Sequence, residues 1–290
     1  MKLLLVLLLA GCSSFFENQA AKSTLKILQQ STVAARRLAD VQLAREAAPG
    51  GVVQLAAFSA TYPKHRGFRV LHAEATCGYA LGFVFDDWEA ASLAGREDEA
   101  RAIAKRVEGL LASCIELNLE LLPKAWRAAD WKPLLPSVTR EHVPALLSIA
   151  SAEAARIALD PIAGISRLDR VLATLARCTE VAPGFRDAEG EIMLGSLLAG
   201  RARFFGGPNG EAQFIAARRL LGPGAVLVDV MYARGVAVAR QDRALFTRHL
   251  DAALAADVSA YPDRRLANEL ARVKAARYRA AIEALIPPRE

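Results

Sequence analysis

The 290-residue sequence has few of the residue patterns on which catalysis or metal binding depends. Histidine is rare and scattered, with no His-Glu-x-x-His and no Cys-x-x-Cys pattern, at His65, His72, His142 and His249. A zinc site needs ligands that converge at suitable spacing, so these absences argue against the common metal sites. The glycine-rich residues 206–210 lack the Gly-Lys-Ser/Thr ending that holds a phosphate, and no Gly-x-Ser-x-Gly elbow occurs. The sequence predicts no enzyme, no metal and no cofactor.

No apolar run is long enough to cross a bilayer. The run at residues 3–10 has eight residues, whereas a transmembrane helix needs ~20. It follows Lys2 and leads directly into Leu9-Ala10-Gly11-Cys12, which matches the lipobox of bacterial lipoproteins. The alternative is an ordinary signal peptide with a chance cysteine. We predict a signal peptide at residues 1–11, a lipidated tether at 12–17 with Cys12 acylated, and a helical-repeat domain at 18–290. Ser13 replaces the aspartate that typically retains lipoproteins in the inner membrane, which favours the periplasmic face of the outer membrane.

Cysteine is scarce, and three cysteines remain once Cys12 is assigned to the anchor: Cys77, Cys114 and Cys178. An odd number allows at most one disulfide and leaves at least one free thiol. All three lie in apolar helical stretches, which favours small buried residues over a bridged pair. The predicted compartment tolerates disulfides, so a bridge stays the alternative.

Positive charge is spread along the chain rather than concentrated. The formal net charge is +6, and paired arginines at residues 36–37, 218–219 and 264–265 are separated by acidic residues. Nucleic-acid-binding segments cluster such charges on one face or stretch. We therefore predict a solvated, mildly basic surface, no nucleic-acid partner, and membrane contact only through the lipid.

Almost every window of the chain has helical period. The predicted helices cover residues 18–48 (with a stop at Pro49-Gly50-Gly51), 51–62 (ending at Pro63), 66–85, 88–122 (with a break near Gly95), 141–159, 161–181, 186–204, 209–221, 225–240, 243–257 and 263–286. Residues 123–137, with three prolines and two tryptophans, are predicted to be irregular. Short loops between these helices indicate an all-α fold, an α-solenoid of degenerate tetratricopeptide-like helix hairpins.

Three segments call for a specific prediction, two of them between alternatives. The valines of residues 226–238 alternate like a strand, but the apolar set continues over a full helical length, which favours a buried helix. Gly78 and Gly82 share a helix face and predict a tight crossing with a second helix. Asp86 and Asp87 are adjacent carboxylates, which suit an acid/base pair less well than a helix N-cap for the next segment.

Two regions together carry a family resemblance. The first is the run at residues 77–87, and the second is a series whose members are Phe204-Phe205-Gly206-Gly207, Ala212, Phe214, Tyr232-Ala233, Gln241-Asp242-Arg243-Ala244-Leu245-Phe246, Pro262 and Leu266-Ala267-Asn268. With the lipobox, their order and spacing resemble the T component associated with some TRAP transporters. This family consists of periplasmic lipoproteins built from degenerate tetratricopeptide-type helix pairs. The resemblance covers most of the chain, and the insertion at residues 123–137 departs from it.

The resemblance implies a homotrimer, a periplasmic solute-binding protein as partner, and a passage through each subunit for a hydrophobic or organic-acid-like ligand. It supplies no catalytic residues. Aromatic residues on the matching segments are the candidate ligand contacts: Tyr79, Phe83, Phe204, Phe205 and Tyr232. Each of these rings could equally belong to the core, because apolar pockets and cores have similar compositions. The alternative function is a helical-repeat scaffold of envelope assembly with no ligand of its own.

Replacing Cys12 with alanine should release the protein from the membrane, because acyl chains on this cysteine are its predicted attachment. Membrane fractionation and detergent-phase partitioning of the two proteins measure the effect. A Cys12→Ala protein that partitions as the wild type does would refute the lipobox assignment.

Overall fold

The computed structural model describes the backbone of residues 2–128 and 130–288, and the side chains of residues 19–128 and 130–288. Within these ranges all regular structure is helical and no strand occurs, which confirms the predicted all-α class. The α-helices are α1 (Lys2–Arg36), α2 (Val41–Thr61), α3 (Arg66–Tyr79), α4 (Phe85–Leu93), α5 (Glu97–Leu119), α6 (Val143–Leu159), α7 (Pro161–Val181), α8 (Phe185–Phe205), α9 (Glu211–Leu221), α10 (Val226–Tyr232), α11 (Val238–Arg240), α12 (Arg243–Ala255), α13 (Arg265–Ala280) and α14 (Ile282–Leu285). Among the helices so described, none is long and apolar enough to cross a membrane.

The first helix break lies earlier than the sequence suggests. The predicted stop at Pro49-Gly50-Gly51 is wrong, because α2 continues through all three residues to Thr61. The chain breaks instead at residues 37–40, where the Asp40 carboxylate accepts a hydrogen bond from the Leu43 amide at 3.0 Å and caps α2. The cap and the packing of α2 against α3 together offset the free-energy cost of the backbone hydrogen bond that Pro49 cannot donate. The side chain of Cys12 lies outside the described residues, and its acylation stays a prediction.

The proline- and tryptophan-containing insertion forms two short 3-10 helices, Lys124–Arg127 and Lys132–Ser137. Trp126 and Trp131 are buried, with ring centroids 5.3 Å apart in an edge-to-face arrangement. They pack with Leu146 of α6 in one apolar cluster. The insertion therefore closes the core between α5 and the α6–α7 hairpin.

The valine-rich segment is helical, as predicted. Helix α10 passes into a π-helical turn, Ala233–Ala237, and then into α11. Val226, Val228, Val230 and Val236 are all buried, because α8, α12 and α13 surround this segment. Burial on every side explains why its valines follow no single face.

Two predictions, one for the cysteines and one for two glycines, are wrong. Cys77 of α3 and Cys114 of α5 form a disulfide, and Cys178 is a buried free thiol, so the preference for three unbridged cysteines was wrong. The two bridged residues are distant in sequence but lie on packed helices, which spacing alone does not reveal.

The predicted tight helix crossing at Gly78 and Gly82 was also wrong, because no neighbouring atom lies within 4 Å of a Cβ built on either glycine.

The close backbone contact lies elsewhere, between α8 and the start of α9. A Cβ on Gly210 would lie 2.0 Å from the carbonyl oxygen of Gly195, and Gly210 has a φ of +75°. Only glycine combines this left-handed conformation with so close an approach. The Gly195–Gly210 contact therefore fixes how the α8–α9 hairpin packs.

The hairpins pack in chain order, and the array then returns to its beginning. Helix α2 packs against α3, each helix from α4 to α9 packs against the next, and α10, α12 and α13 form the last group. Helix α13 also contacts α1 and α2. The N-terminal helices therefore meet α13, near the C-terminal end of the domain.

Replacing Gly210 with alanine should lower the free energy of unfolding by about 2–4 kcal/mol, since the methyl group collides with backbone and the residue prefers negative φ. Gly82→Ala is the matched control, because space is open there and alanine favours a helix by about 0.5–1 kcal/mol. Urea denaturation of both variants provides the comparison. Equal stabilities would mean that the α8–α9 contact is not tight.

Candidate functional site

Two π-helical turns mark the site, and both begin with the same sequence pattern. The first, Ala80–Val84, follows Tyr79 and joins α3 to α4. The second, Ala233–Ala237, follows Tyr232 and joins α10 to α11. Tyr79-Ala80-Leu81-Gly82 and Tyr232-Ala233-Arg234-Gly235 share a Tyr-Ala-x-Gly pattern. Single π-helical turns inside α-helices occur frequently at functional sites, so the structure around both turns is of interest.

A buried group of charged side chains lies between α4, which follows the first turn, and α13. The Arg277 guanidinium donates to both Asp86 carboxylate oxygens, at 2.7 and 3.1 Å, and to Glu89 at 2.9 Å. Lys274 donates to Asp86 and, at 3.2 Å, to Glu89. The Tyr278 hydroxyl contacts both oxygens of Glu89, at 2.7 and 2.8 Å. We call these five residues, with Arg234, the closure cluster.

Contacts of Arg234 and Arg45 extend the closure cluster toward the π-helical turns. Arg234, inside the second turn, has its Nε 3.9 Å from a Glu89 oxygen, and its guanidinium lies 5.8 Å from the centre of the Tyr278 ring. Arg45 of α2 forms an ion pair with Asp87 and lies 5.4 Å from the centre of the Phe83 ring. The cluster thus connects α2, both π-helical turns and α13.

The cluster holds its acids ionised although they are buried. Burial alone would raise the pKa of Asp86, but hydrogen bonds from Arg277 and the charge of Lys274 outweigh it and lower the pKa below 3.8. Burial opposes ionisation of Glu89 too, and the charge of Lys274 with the Tyr278 hydroxyl lowers its pKa below 4.5. Burial and the neighbouring Glu89 charge raise the pKa of Tyr278 well above 10, so its hydroxyl stays a donor.

The prediction that Asp86 is a helix N-cap is wrong. The chain is helical on both sides of it, from α3 through the π-helical turn into α4, so no helix end exists there to be capped. Its side chain is 5% exposed and faces α13. Lys274 and Arg277 stand 188 and 191 residues away in sequence, which is why local pattern could not identify the partners.

The five predicted aromatic contacts fall in three places. Tyr79 and Phe83 are close, with ring centroids 6.4 Å apart, beside the disulfide-bearing α3 and α5. Tyr232 stacks on His249 with ring centroids 4.3 Å apart, and its hydroxyl bonds Glu211. Phe204 and Phe205 are 75% and 67% exposed at the end of α8. The structure does not bring the five together into one apolar lining.

Tyr79 and Tyr232 nevertheless hold equivalent positions, each directly before a π-helical turn. The Tyr79 hydroxyl accepts a hydrogen bond from Arg106 of α5. Tyr232 bonds Glu211 of α9, which in turn pairs with Arg240. Burial and the bond to Glu211 raise the pKa of Tyr232 to about 12. Each turn is therefore fixed by a tyrosine hydroxyl bonded to a charged residue of a neighbouring helix.

A groove of about 480 Å³ lies between α1 and α3, lined by residues that include Gln29, Thr32, Arg36, Arg66 and Glu74. None of the five predicted aromatic residues lines it. In the part of the chain that the structure describes, no three His, Cys, Asp or Glu side chains form a group that could hold a metal ion.

The comparison with protein families identifies the chain. The model of the family described as TRAP transporter T-component matches residues 38–285, which include both π-helical turns and the closure cluster. The chain belongs to this family. No curated protein matches the T component's sequence. The family is a transporter component and not an enzyme family, so this protein has a role in TRAP transporter function.

Sequence reasoning missed most of the closure cluster of this T component. Composition and spacing drew attention to Asp86 but not to Glu89, Arg234, Lys274 or Arg277, which come from three separate segments. One signal was present in the sequence. The repeated Tyr-Ala-x-Gly pattern locates both π-helical turns and leads directly to Arg234.

Replacing Asp86 with asparagine should lower the free energy of unfolding by about 3 kcal/mol at pH 7, because Lys274 and Arg277 lose a buried counter-charge. Asp98→Asn is the control, since that side chain is 98% exposed and its loss should cost less than about 0.5 kcal/mol.

The same variants predict a pH dependence. A carboxylate with a lowered pKa in the fold contributes stability that is fully present above its ordinary pKa and is lost as pH falls through the folded pKa. Wild-type stability should therefore fall below about pH 4.5, and Asp86→Asn should flatten this fall. Urea unfolding between pH 3 and pH 7 measures both slopes. Parallel profiles would contradict the assignment of an ionised Asp86.

Proposed function

We propose that this T component is a lipid-anchored protein at the periplasmic face of the outer membrane that docks the solute-binding protein of a TRAP transporter. In the same proposal it shelters an organic ligand and assembles as a homotrimer. The observation that carries the proposal is the family match over residues 38–285, together with the lipobox at Cys12.

The fold is suited to a binding and scaffold role. Helices packed in chain order present long, fixed surfaces, and helical-repeat proteins use such surfaces for binding. The array here returns to its beginning through α13, which contacts α1 and α2. Rigid elements of this type keep a docking surface in one conformation, which reduces the entropic cost of binding.

The local chemistry supports transport better than catalysis. The buried carboxylates of the closure cluster are held ionised by basic partners, and none has the raised pKa of a general acid. An envelope scaffold without a ligand is the competing function. It requires neither a solute-binding protein nor the charged residues beside the second π-helical turn.

Docking can be tested with the full-length protein in mild detergent, mixed with the TRAP-type solute-binding protein of the same host. We expect the two to co-elute, and light scattering should give the mass of a trimer for the T component alone. A solute-binding protein from an unrelated uptake system is the control and should not co-elute. A monomer that retains no TRAP-type binding protein would overturn the transport proposal and favour the envelope scaffold.

A further inference from the structure

Arg234 differs from the other basic residues of the closure cluster in having no hydrogen-bond partner among the described side chains. Its Nε is buried and has no hydrogen-bond partner. The Nε of Arg277 is also without one, but Arg277 bonds Asp86 and Glu89 through its other nitrogens, whereas the acidic contact of Arg234 is the Glu89 oxygen at 3.9 Å. The side chain as a whole is 35% exposed, so the rest of the guanidinium is reachable from solvent. Buried donors normally have a partner, and one without a partner requires an explanation.

The charges of the closure cluster do not balance. Asp86 and Glu89 supply two negative charges, whereas Lys274, Arg277 and Arg234 supply three positive ones. Glu89 already accepts hydrogen bonds from Lys274, Arg277 and Tyr278, and its Oε1 lies 3.9 Å from the Arg234 Nε, beyond hydrogen-bond distance. Arg45 has an Nη2 4.0 Å from an Asp86 oxygen, but it leaves the balance unchanged because its closer partner, Asp87, adds a negative charge. One positive charge, at Arg234, is left over.

The position of Arg234 is fixed although its donors are unpaired. It lies inside the π-helical turn Ala233–Ala237, and the guanidinium lies near the face of the Tyr278 ring. Tyr278 is 1% exposed and is held by Glu89, so the ring is a rigid support. A guanidinium held in this way has its hydrogen-bonding edge ready for a planar acceptor, and a carboxylate matches that geometry with two parallel bonds.

We propose that Arg234 binds the carboxylate of a small organic anion, which completes the closure cluster. This inference rests on the proposed function and adds to it the residue and the charged group through which a ligand is held. The equivalent position of the first π-helical turn is Leu81, which offers no such donor. Of the two related turns, only the second is therefore suited to an anion.

The experiment uses the full-length protein in detergent and isothermal titration calorimetry with hexanoate, acetate, hexanamide and inorganic phosphate. Hexanamide matches hexanoate in shape but lacks the charge. We expect the carboxylates to bind and hexanamide and phosphate to bind much more weakly. Arg234→Gln should weaken hexanoate binding about tenfold to hundredfold, since a charge-assisted hydrogen bond is lost. The affinity of Arg234→Lys for hexanoate should lie between the affinities of the wild type and Arg234→Gln.

Arg203→Gln is the matched control, because Arg203 also lies 5.8 Å from an aromatic ring centre, that of Phe204, but outside the cluster. It should bind hexanoate as the wild type does. Circular dichroism and co-elution with the solute-binding protein check that Arg234→Gln remains folded. If the wild type binds no carboxylate, binds hexanamide or phosphate equally well, or keeps its affinity in Arg234→Gln, the inference is overturned. Each of these outcomes leaves the proposed function intact if the solute-binding protein still co-elutes, whereas loss of co-elution in the wild type counts against the function itself.

Discussion

The ion-pair contact between α4 and α13 is the constraint that closes this fold. Asp86 and Glu89 meet Lys274 and Arg277 across 185–191 residues of sequence. Every hairpin between them must pack at the correct angle for these side chains to meet, because a contact of such long range cannot be made locally. Buried ion pairs contribute little net stability against an apolar replacement, yet they are costly when one partner is missing. The cluster is therefore better understood as selecting one closed arrangement than as the main source of stability.

The two π-helical turns explain how α-helices bring these groups together. A π-helical turn adds a residue to the normal helical repeat and so rotates everything that follows on the helix. After the first turn, Asp86 and Glu89 face α13, and within the second, Arg234 reaches the same cluster. A tyrosine hydroxyl bonded to a charged residue precedes each turn. The shared Tyr-Ala-x-Gly pattern indicates that one structural unit is used twice, with leucine or arginine at its variable position.

Local signals predicted the helices well where a cap or a long period was present. Asp160 caps α7 through the Ala163 amide at 3.0 Å, and α7 has the predicted bounds of 161–181. The rule that proline and glycine end a helix failed where tertiary packing determines the helix bounds, as at Pro49 inside α2. The glycines at 78 and 82 follow helical spacing, but spacing cannot show whether a second helix is opposite. The disulfide and the closure cluster join distant segments, and no single sequence encodes such pairings in a local pattern.

The character of the closure cluster also bears on the kind of ligand this T component could shelter. An apolar molecule placed against Lys274, Arg277 and Glu89 would displace water without replacing its hydrogen bonds, which costs free energy for each group left unpaired. A ligand with a carboxylate avoids this cost at Arg234, and α4 and α10 carry partly buried apolar side chains, Leu93, Leu227 and Met231, against the same core. The aromatic residues predicted from sequence then support the π-helical turns, as Tyr79 and Tyr232 do, or lie exposed at the end of α8, as Phe204 and Phe205 do. Under the proposed function, charge is the property of this region by which it would distinguish one solute from another, more than aromatic surface.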